Sequence, residues 1–281
     1  MALITRFAPS PTGYLHLGHA YSALCVQQAA MSEPGGTMLL RIEDIDQTRA
    51  RPVFEDAIYE DLRWLGLDWQ SPVRRQSDHF AEYEARLSAL AATGLVYRCF
   101  LTRREVNEIA GAPHGDLPPR FTSGPLPQEE EEDRLAAGAA YSWRLSMSAC
   151  QDRLGTEFSE LFWSEVTANG VVSHKADPSV FGDVILGRKD IGTSYHLASV
   201  HDDILQGITH IVRGEDLRQS ADLHVLLYRL FGASPPLYQH HRLINDDQGE
   251  RLAKRNDAKA LRTLRDDGAT PADIRRLVGL D

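Results

Sequence analysis

Residues 6–19 read Arg6-Phe7-Ala8-Pro9-Ser10-Pro11-Thr12-Gly13-Tyr14-Leu15-His16-Leu17-Gly18-His19. Ahead of them the apolar, β-branched run Ala2 to Thr5 predicts a buried first strand. Behind them the Ala- and Gln-rich stretch Ala20 to Met31 predicts a helix. Pro9 and Pro11 exclude helix between the two and favour an extended turn. The segment is therefore a strand-loop-helix junction, with Gly18 letting the backbone approach a ligand closely. N–H groups at a helix start attract phosphate. His16 and His19, three residues apart, share one face of that first turn, and imidazole donates to phosphate oxygens whether neutral or charged. An isolated H-x-G-H could equally be a plain turn with two exposed histidines, and the preceding F-A-P-S-P-T-G argues against that.

The chain of 281 residues has room for one large domain or a domain with an insertion. Its 42% hydrophobic and 25% charged residues are ordinary for a globular protein. No apolar run approaches the roughly 20 residues that span a bilayer. The N-terminus lacks the basic-then-apolar order of an export signal, so a cytoplasmic protein with no membrane partner is expected. Cys25, Cys99 and Cys150 are odd in number and far apart, which reads as buried thiols and not a disulfide framework. The net charge of −10 argues against broad, non-specific nucleic-acid binding, although the stretch from Arg242 onward is relatively basic.

Thr37 to Glu43 reads as a strand that ends in charge, with Arg41, Glu43, Asp44 and Asp46 close together. Buried charges need partners, so an internal ion-pair network is one reading. The other puts Glu43 at the C-terminal end of the strand, where open α/β sheets bind ligands and a carboxylate can hold an ammonium. Helices are predicted over Arg51 to Leu65 and Phe80 to Ala92, and a strand over Val96 to Leu101 with a Thr102-x-x-Glu105 capping box behind it. Gly111 to Ala140 carries five prolines, and its acidic run Glu129 to Asp133 reads as a solvated loop leading into a helix. Strands follow over Ala140 to Met147, Phe158 to Val166 and Val180 to Leu186. Ile208 to Val212 predicts a buried parallel strand that opens through Arg213-Gly214-Glu215-Asp216 into a helix, Leu217 to Phe231. An Arg213 paired with Glu215 or Asp216 is the structural alternative to a binding role. His196, His201 and His210 have no metal-ligand spacing, so no metal site is expected. Short helices close the chain, Ala258 to Asp266 and Pro271 to Val278.

The residues 6–19 resemble the signature of the class I aminoacyl-tRNA synthetases in the form used by glutamyl enzymes. L-R-I-E-D-I-D at 40–46 resembles that family's L-R-I-E-D-T-D, and Tyr195-His196-Leu197-Ala198-Ser199-Val200-His201-Asp202-Asp203 resembles its Y-x-L-A-x-V-x-D-D. Arg251-Leu252-Ala253-Lys254-Arg255 resembles its K-M-S-K-S loop with the first lysine and the serine replaced. The match covers nearly the whole chain, with the motifs in order. It implies an α/β, Rossmann-like parallel sheet in two halves, 1–98 and 187–257. An α+β insertion occupies 99–186, and 258–281 form a short C-terminal helical segment. Because no further domain fits after the catalytic loop, the chain resembles the short paralogues, the glutamyl-Q tRNA(Asp) synthetases, which have no anticodon-binding domain.

That resemblance implies ATP-dependent activation of L-glutamate without tRNA, then transfer of the glutamyl group to queuosine in the anticodon loop of tRNA(Asp). Glutamate is expected on Arg6, Phe7, Ala8, Pro9, Ser10, Glu43, Tyr195 and Arg213, with Glu43 on the ammonium and Arg213 on the side-chain carboxylate. ATP is expected on His16, Gly18, His19 and Lys254, with Mg2+ held largely by phosphates and water. Catalysis then falls to His16, His19 and Lys254 as positioning and charge-stabilising groups. Family members that bind zinc use a C-x-C pair with a later Tyr and Cys. Here Cys99 is followed by Phe100 and Leu101, and Phe121 and Pro125 stand near the other positions, so zinc is expected to be absent and apolar packing to replace it. A monomer is expected. The alternatives are a truncated glutamyl-tRNA synthetase catalytic domain, a small-molecule nucleotidyltransferase and a non-catalytic nucleotide-binding paralogue.

Overall fold

The computed structural model describes residues 2–110, 120–244 and 259–280. The chain starts with strand β1 (Ile4–Phe7), helix α1 (Leu17–Met31), β2 (Thr37–Ile42), α2 (Pro52–Trp64) and β3 (Gln70–Arg75). These strands form a parallel sheet in the order β1-β2-β3. Helix α3 (Phe80–Ala92) leads to β4 (Val96–Cys99), α4 (Arg103–Ala110), α5 (Gln128–Ala136) and β5 (Ser142–Leu145). Next come α6 (Met147–Leu154), α7 (Thr156–Ser159), the hairpin β6 (Phe162–Thr167) and β7 (Gly170–Lys175), and β8 (Ile185–Gly187). The second half follows with α8 (Tyr195–Leu205), β9 (His210–Gly214), α9 (Ser220–Leu230) and β10 (Leu237–His241). Helices α10 (Leu261–Asp266) and α11 (Pro271–Val278) come last.

β9 and β10 are parallel, and β10 also pairs in parallel with β6, giving the order β7-β6-β10-β9. The two sheets meet at β1 and β9. The Ile4 N–H donates to Thr209 Oγ1 at 2.8 Å, and the Thr209 N–H donates to the Ile4 carbonyl at 2.9 Å. The strand order therefore reverses between β1 and β9. At such a switch point, helices on opposite faces leave a crevice beyond the strand C-termini. Arg6 and Phe7 end β1 there, and Arg213 and Gly214 end β9.

The expected insertion 99–186 does not pack as one body. β4, β5 and β8 form a separate antiparallel sheet, but β6 and β7 extend the parallel sheet beside β10. Alternation places Trp163 and Glu165 inward on β6, against Tyr238, Asp222 and His240. No local pattern distinguishes a hairpin of an insertion from an edge hairpin of the main sheet. Three expected local structures also shift. Glu129 to Asp133 lie inside α5 itself, behind Pro127, where acidic residues in a first turn favour the helix dipole. Phe158 belongs to the short α7, and β6 starts only at Phe162. Pro178–Phe181 is a 3-10 turn, and strand begins at Ile185. The Thr102 capping box forms as its spacing requires, with Thr102 and Glu105 exchanging backbone-to-side-chain bonds.

Helix α1 buries Ala20, Tyr21, Ala23, Leu24, Cys25, Val26 and Ala30, and packs on β1, β9 and α11. Leu261, Ile274 and Val278 complete that core from the C-terminal segment. The Leu261 N–H donates to the Leu15 carbonyl at 2.8 Å, so α10 is fastened directly beneath the His16 turn. Cys99 packs with Tyr97 and Phe121 in a small apolar cluster of the β4-β5-β8 sheet. All three cysteines are buried thiols. Among the described residues no helix is long and apolar enough to cross a membrane.

Candidate active site

A cavity of about 400 Å3 opens at the switch point. Every residue expected to hold glutamate lines it: Arg6, Phe7, Ala8, Pro9, Ser10, Glu43, Tyr195 and Arg213. Of the residues expected on ATP, His19 lines the same cavity, and His16 and Gly18 form the turn beside it. Lys254 lies outside the described residues. Thr12, Ser22, Arg49 and Leu217 are further lining residues that sequence reading did not single out.

The loop between β1 and α1 is held extended by its prolines and pinned by backbone bonds. The Glu43 N–H donates to the Pro9 carbonyl and the Arg51 N–H to the Pro11 carbonyl, both at 3.0 Å. At the helix start the histidines cap each other. His16 Nδ1 accepts from the Gly18 N–H at 3.1 Å, and His19 Nδ1 accepts from the His16 N–H at 3.2 Å. A neutral imidazole that accepts at Nδ1 carries its proton at Nε2. The mutual cap therefore fixes one tautomer in both rings and makes each an N–H donor at Nε2. Gly18 serves that cap: a Cβ there would stand 3.0 Å from the His16 ring. Its N–H is engaged by the cap.

The charged floor of the cavity depends on two adjacent aspartates of α8. Consecutive helix positions lie about 100° apart, so Asp202 and Asp203 face different elements. Asp203 Oδ1 accepts from Arg6 Nε at 2.9 Å and from Arg41 Nη1 at 2.7 Å. Asp202 accepts from Arg74 and Gln76, each at 2.8 Å, and from the Tyr83 hydroxyl, joining β3 and α3 to α8. Burial pushes the Asp203 carboxyl up, but Arg6 and Arg41 outweigh it and hold it below the usual carboxylate range. Arg41, fully buried, also donates to Glu43 Oε1 at 3.1 Å. Burial still raises the Glu43 pKa, although Arg41 and Arg6 oppose the shift. The expected ion-pair network is thus present, and Glu43, one of its members, also lines the cavity.

Arg213, 5% exposed, donates from Nε to His240 Nε2 at 3.3 Å. Its Nη1 lies 3.4 Å from His224 Nδ1, and its buried Nη2 has no hydrogen-bond partner. Its hydrogen bonds therefore go to histidines and not to Glu215 or Asp216. Tyr195, the first residue of α8, stands near His224, and burial raises its hydroxyl pKa. The remaining histidines disperse: His201 binds Glu82 and His196 binds His224. Among the described residues no group of three His, Cys, Asp or Glu could hold a metal ion.

The crevice at the strand-order switch of this α/β fold thus brings together His19 of a helix start, the Glu43 carboxylate and the Arg213 guanidinium. The family described as "tRNA synthetases class I (E and Q), catalytic domain" matches residues 2–280, and the chain belongs to it, as a ligase. Within that family it groups with chains called glutamyl-Q tRNA(Asp) synthetase. The one from Rhodobacter capsulatus is 45% identical, over 99% of this chain and all of that one. The one from Nitratidesulfovibrio vulgaris is 40% identical, over 96% of this chain and 83% of that one. A glutamate–tRNA ligase from Coprothermobacter proteolyticus is 35% identical, but the match spans only 57% of it. Among solved structures, the glutamate tRNA ligase from Elizabethkingia meningosepticum in complex with its amino acid superposes with a TM-score of 0.76 at 27% identity. The match covers 99% of this chain and 60% of that one.

Proposed function

We propose that this chain condenses L-glutamate with ATP to glutamyl-adenylate without tRNA, and then glutamylates queuosine in tRNA(Asp). The observation that carries the first step is the pairing, across one cavity, of Glu43 with an Arg213 whose Nη2 lacks a partner. A planar guanidinium edge suits the side-chain carboxylate of glutamate, and Glu43 suits its ammonium. Arg6 is held by Asp203 through Nε and Nη2, which leaves Nη1 for the cavity it lines. The Nε2–H groups of His16 and His19 are assigned to the phosphates, and Lys254 is proposed to join them. The α-carboxylate oxygen attacks the α-phosphorus in line, and the bond to pyrophosphate breaks. Positioning and charge stabilisation supply the rate, and no protein nucleophile is required. Mg2+ would arrive with ATP on phosphate and water ligands. In the second step a queuosine hydroxyl attacks the activated carbonyl and AMP leaves. The names of the relatives support that acceptor. We also propose that the protein works without bound zinc, with the cluster of Tyr97, Cys99 and Phe121 holding the strands together, and that it acts as a cytoplasmic monomer.

Glutamate-dependent ATP–pyrophosphate exchange tests the first step. Exchange without tRNA is expected, and its loss in Arg213→Ala. Exchange that requires tRNA would favour a truncated glutamyl-tRNA synthetase, and no exchange at all would favour a non-catalytic paralogue. Labelled glutamate should then enter tRNA(Asp) carrying queuosine and not tRNA lacking it. Equal labelling of both would refute the proposed acceptor.

A further inference from the structure

Three arginines stand on the cavity wall. Two pair with carboxylates: Arg6 with Asp203 at 2.9 Å and the exposed Arg49 with Asp46 at 2.9 Å. Arg213 is held by imidazoles instead. His240, on β10, accepts from its Nε at 3.3 Å, and His224, on α9, faces its Nη1 at 3.4 Å. An arginine has no acceptor, so each imidazole must offer a lone pair at that nitrogen. For His240 the proton then sits at Nδ1, which lies 2.8 Å from Glu165 Oε1. For His224 it sits at Nε2, 3.1 Å from His196 Nδ1. Glu165 comes from β6, the strand that joins the main sheet from within the expected insertion. It is fixed in turn by Arg218 at 2.6 Å and His174 at 3.0 Å. Burial together with Arg213 keeps His224 and His196 neutral, His196 down at about 4. Burial likewise holds His240 at about 4, although Glu165 opposes the shift.

We infer that His240, oriented by Glu165, is a positioning residue that makes Arg213 selective for a carboxylate over a carboxamide. A neutral acceptor fixes the guanidinium plane without neutralising its charge. The Arg213 guanidinium, which lines the cavity, then remains a full cation. A carboxylate in the place of His240 would hold the same geometry and discharge it. The negative charge of Glu165 stands one imidazole away and is spent on Arg218. This role rests on the reading of the cavity as a glutamate site.

The test is pyrophosphate exchange with glutamate and with glutamine, recording KM for each amino acid and for ATP, and kcat, alongside thermal melting of every variant. The panel is wild type, His240→Ala, His240→Gln, His240→Glu and Glu165→Gln. In His240→Glu the glutamate KM rises about 10- to 100-fold, the range of a hydrogen bond to a charged group. The glutamate-over-glutamine preference falls by a similar factor, and the ATP KM moves less than about threefold. His240→Gln, whose amide oxygen can accept from Arg213, recovers glutamate affinity relative to His240→Ala. Should His240→Glu fail to fold, Glu165→Gln carries the decision, with a glutamate KM raised about fivefold and an unchanged ATP KM. Unchanged glutamate KM and selectivity in a folded His240→Glu or Glu165→Gln overturns the inference, and so does a His240→Gln no better than His240→Ala. A wild type without glutamate-dependent exchange overturns the functional reading itself, a distinct result.

Discussion

Replacing Asp203 by Asn removes one negative charge from between two buried guanidiniums. The side chain is 1% exposed, and its partners Arg6 and Arg41 are 6% and 0% exposed. Asn retains one acceptor oxygen for Arg6 Nε and Arg41 Nη1. Its amide nitrogen then replaces the oxygen that Arg6 Nη2 approaches at 3.3 Å, setting donor against donor. Breaking a buried ion pair by removing one partner costs about 3–5 kcal/mol, because the remaining charge stays desolvated. At about 2–4 °C per kcal/mol for a chain of this size, the Tm should fall by about 6–20 °C at pH 7. Scanning calorimetry gives the drop directly. The pH dependence gives a second check. The Asp203 carboxyl is held below the usual carboxylate range because the arginines outweigh the effect of burial. Its stabilisation is complete above the unfolded-state value, about 3.9, and is lost as pH falls through the lower folded-state value. The gap between wild type and variant should hold steady from pH 8 to about 4 and narrow only below that. A Tm loss under about 2 °C at pH 7, or a gap that closes already near pH 6, would refute the reasoning.

Arg213→Lys keeps the charge but loses the planar edge set by His240 and His224, so the glutamate KM should rise about 10- to 100-fold with little change in the ATP KM. A lysine variant with wild-type glutamate KM would contradict the assignment of Arg213. Asp61, buried on α2 beside Arg265 at 3.4 Å, has its pKa raised to about 6 by burial, with Arg265 opposing. The fold favours its protonated form, so its contribution is full below pH about 4 and is lost as pH rises towards 6. Asp61→Asn should therefore raise stability at pH 7.5, by up to about 3 kcal/mol, and not at pH 4. Denaturant titrations at the two pH values showing the opposite order would exclude this. Elemental analysis of purified protein should find no tightly bound zinc, and one zinc per chain would overturn that expectation.

The sequence by itself determined the parts of this protein that depend on neighbours along the chain. Pro9 and Pro11 forbid helix whatever surrounds them, so the strand-loop-helix junction was legible, as were the Thr102 cap and α3 from Phe80 to Ala92. Glu43 was readable as a cavity-lining carboxylate because it directly follows an apolar strand. The tertiary structure alone decided the support of the site. Asp203 meets Arg6 and Arg41 across 197 and 162 residues, and Glu165 reaches Arg213 through His240 across 75. The D-D pair was visible as a motif, yet which arginines it discharges depends on the packing of α8 against β1 and β2. The placement of β6 beside β10 was equally hidden, since an alternating strand does not name its partner. Local propensity acts over a few residues. Burial of charge is settled only when distant elements exclude water together, and there the fold chose which arginines meet carboxylates and which meets imidazoles.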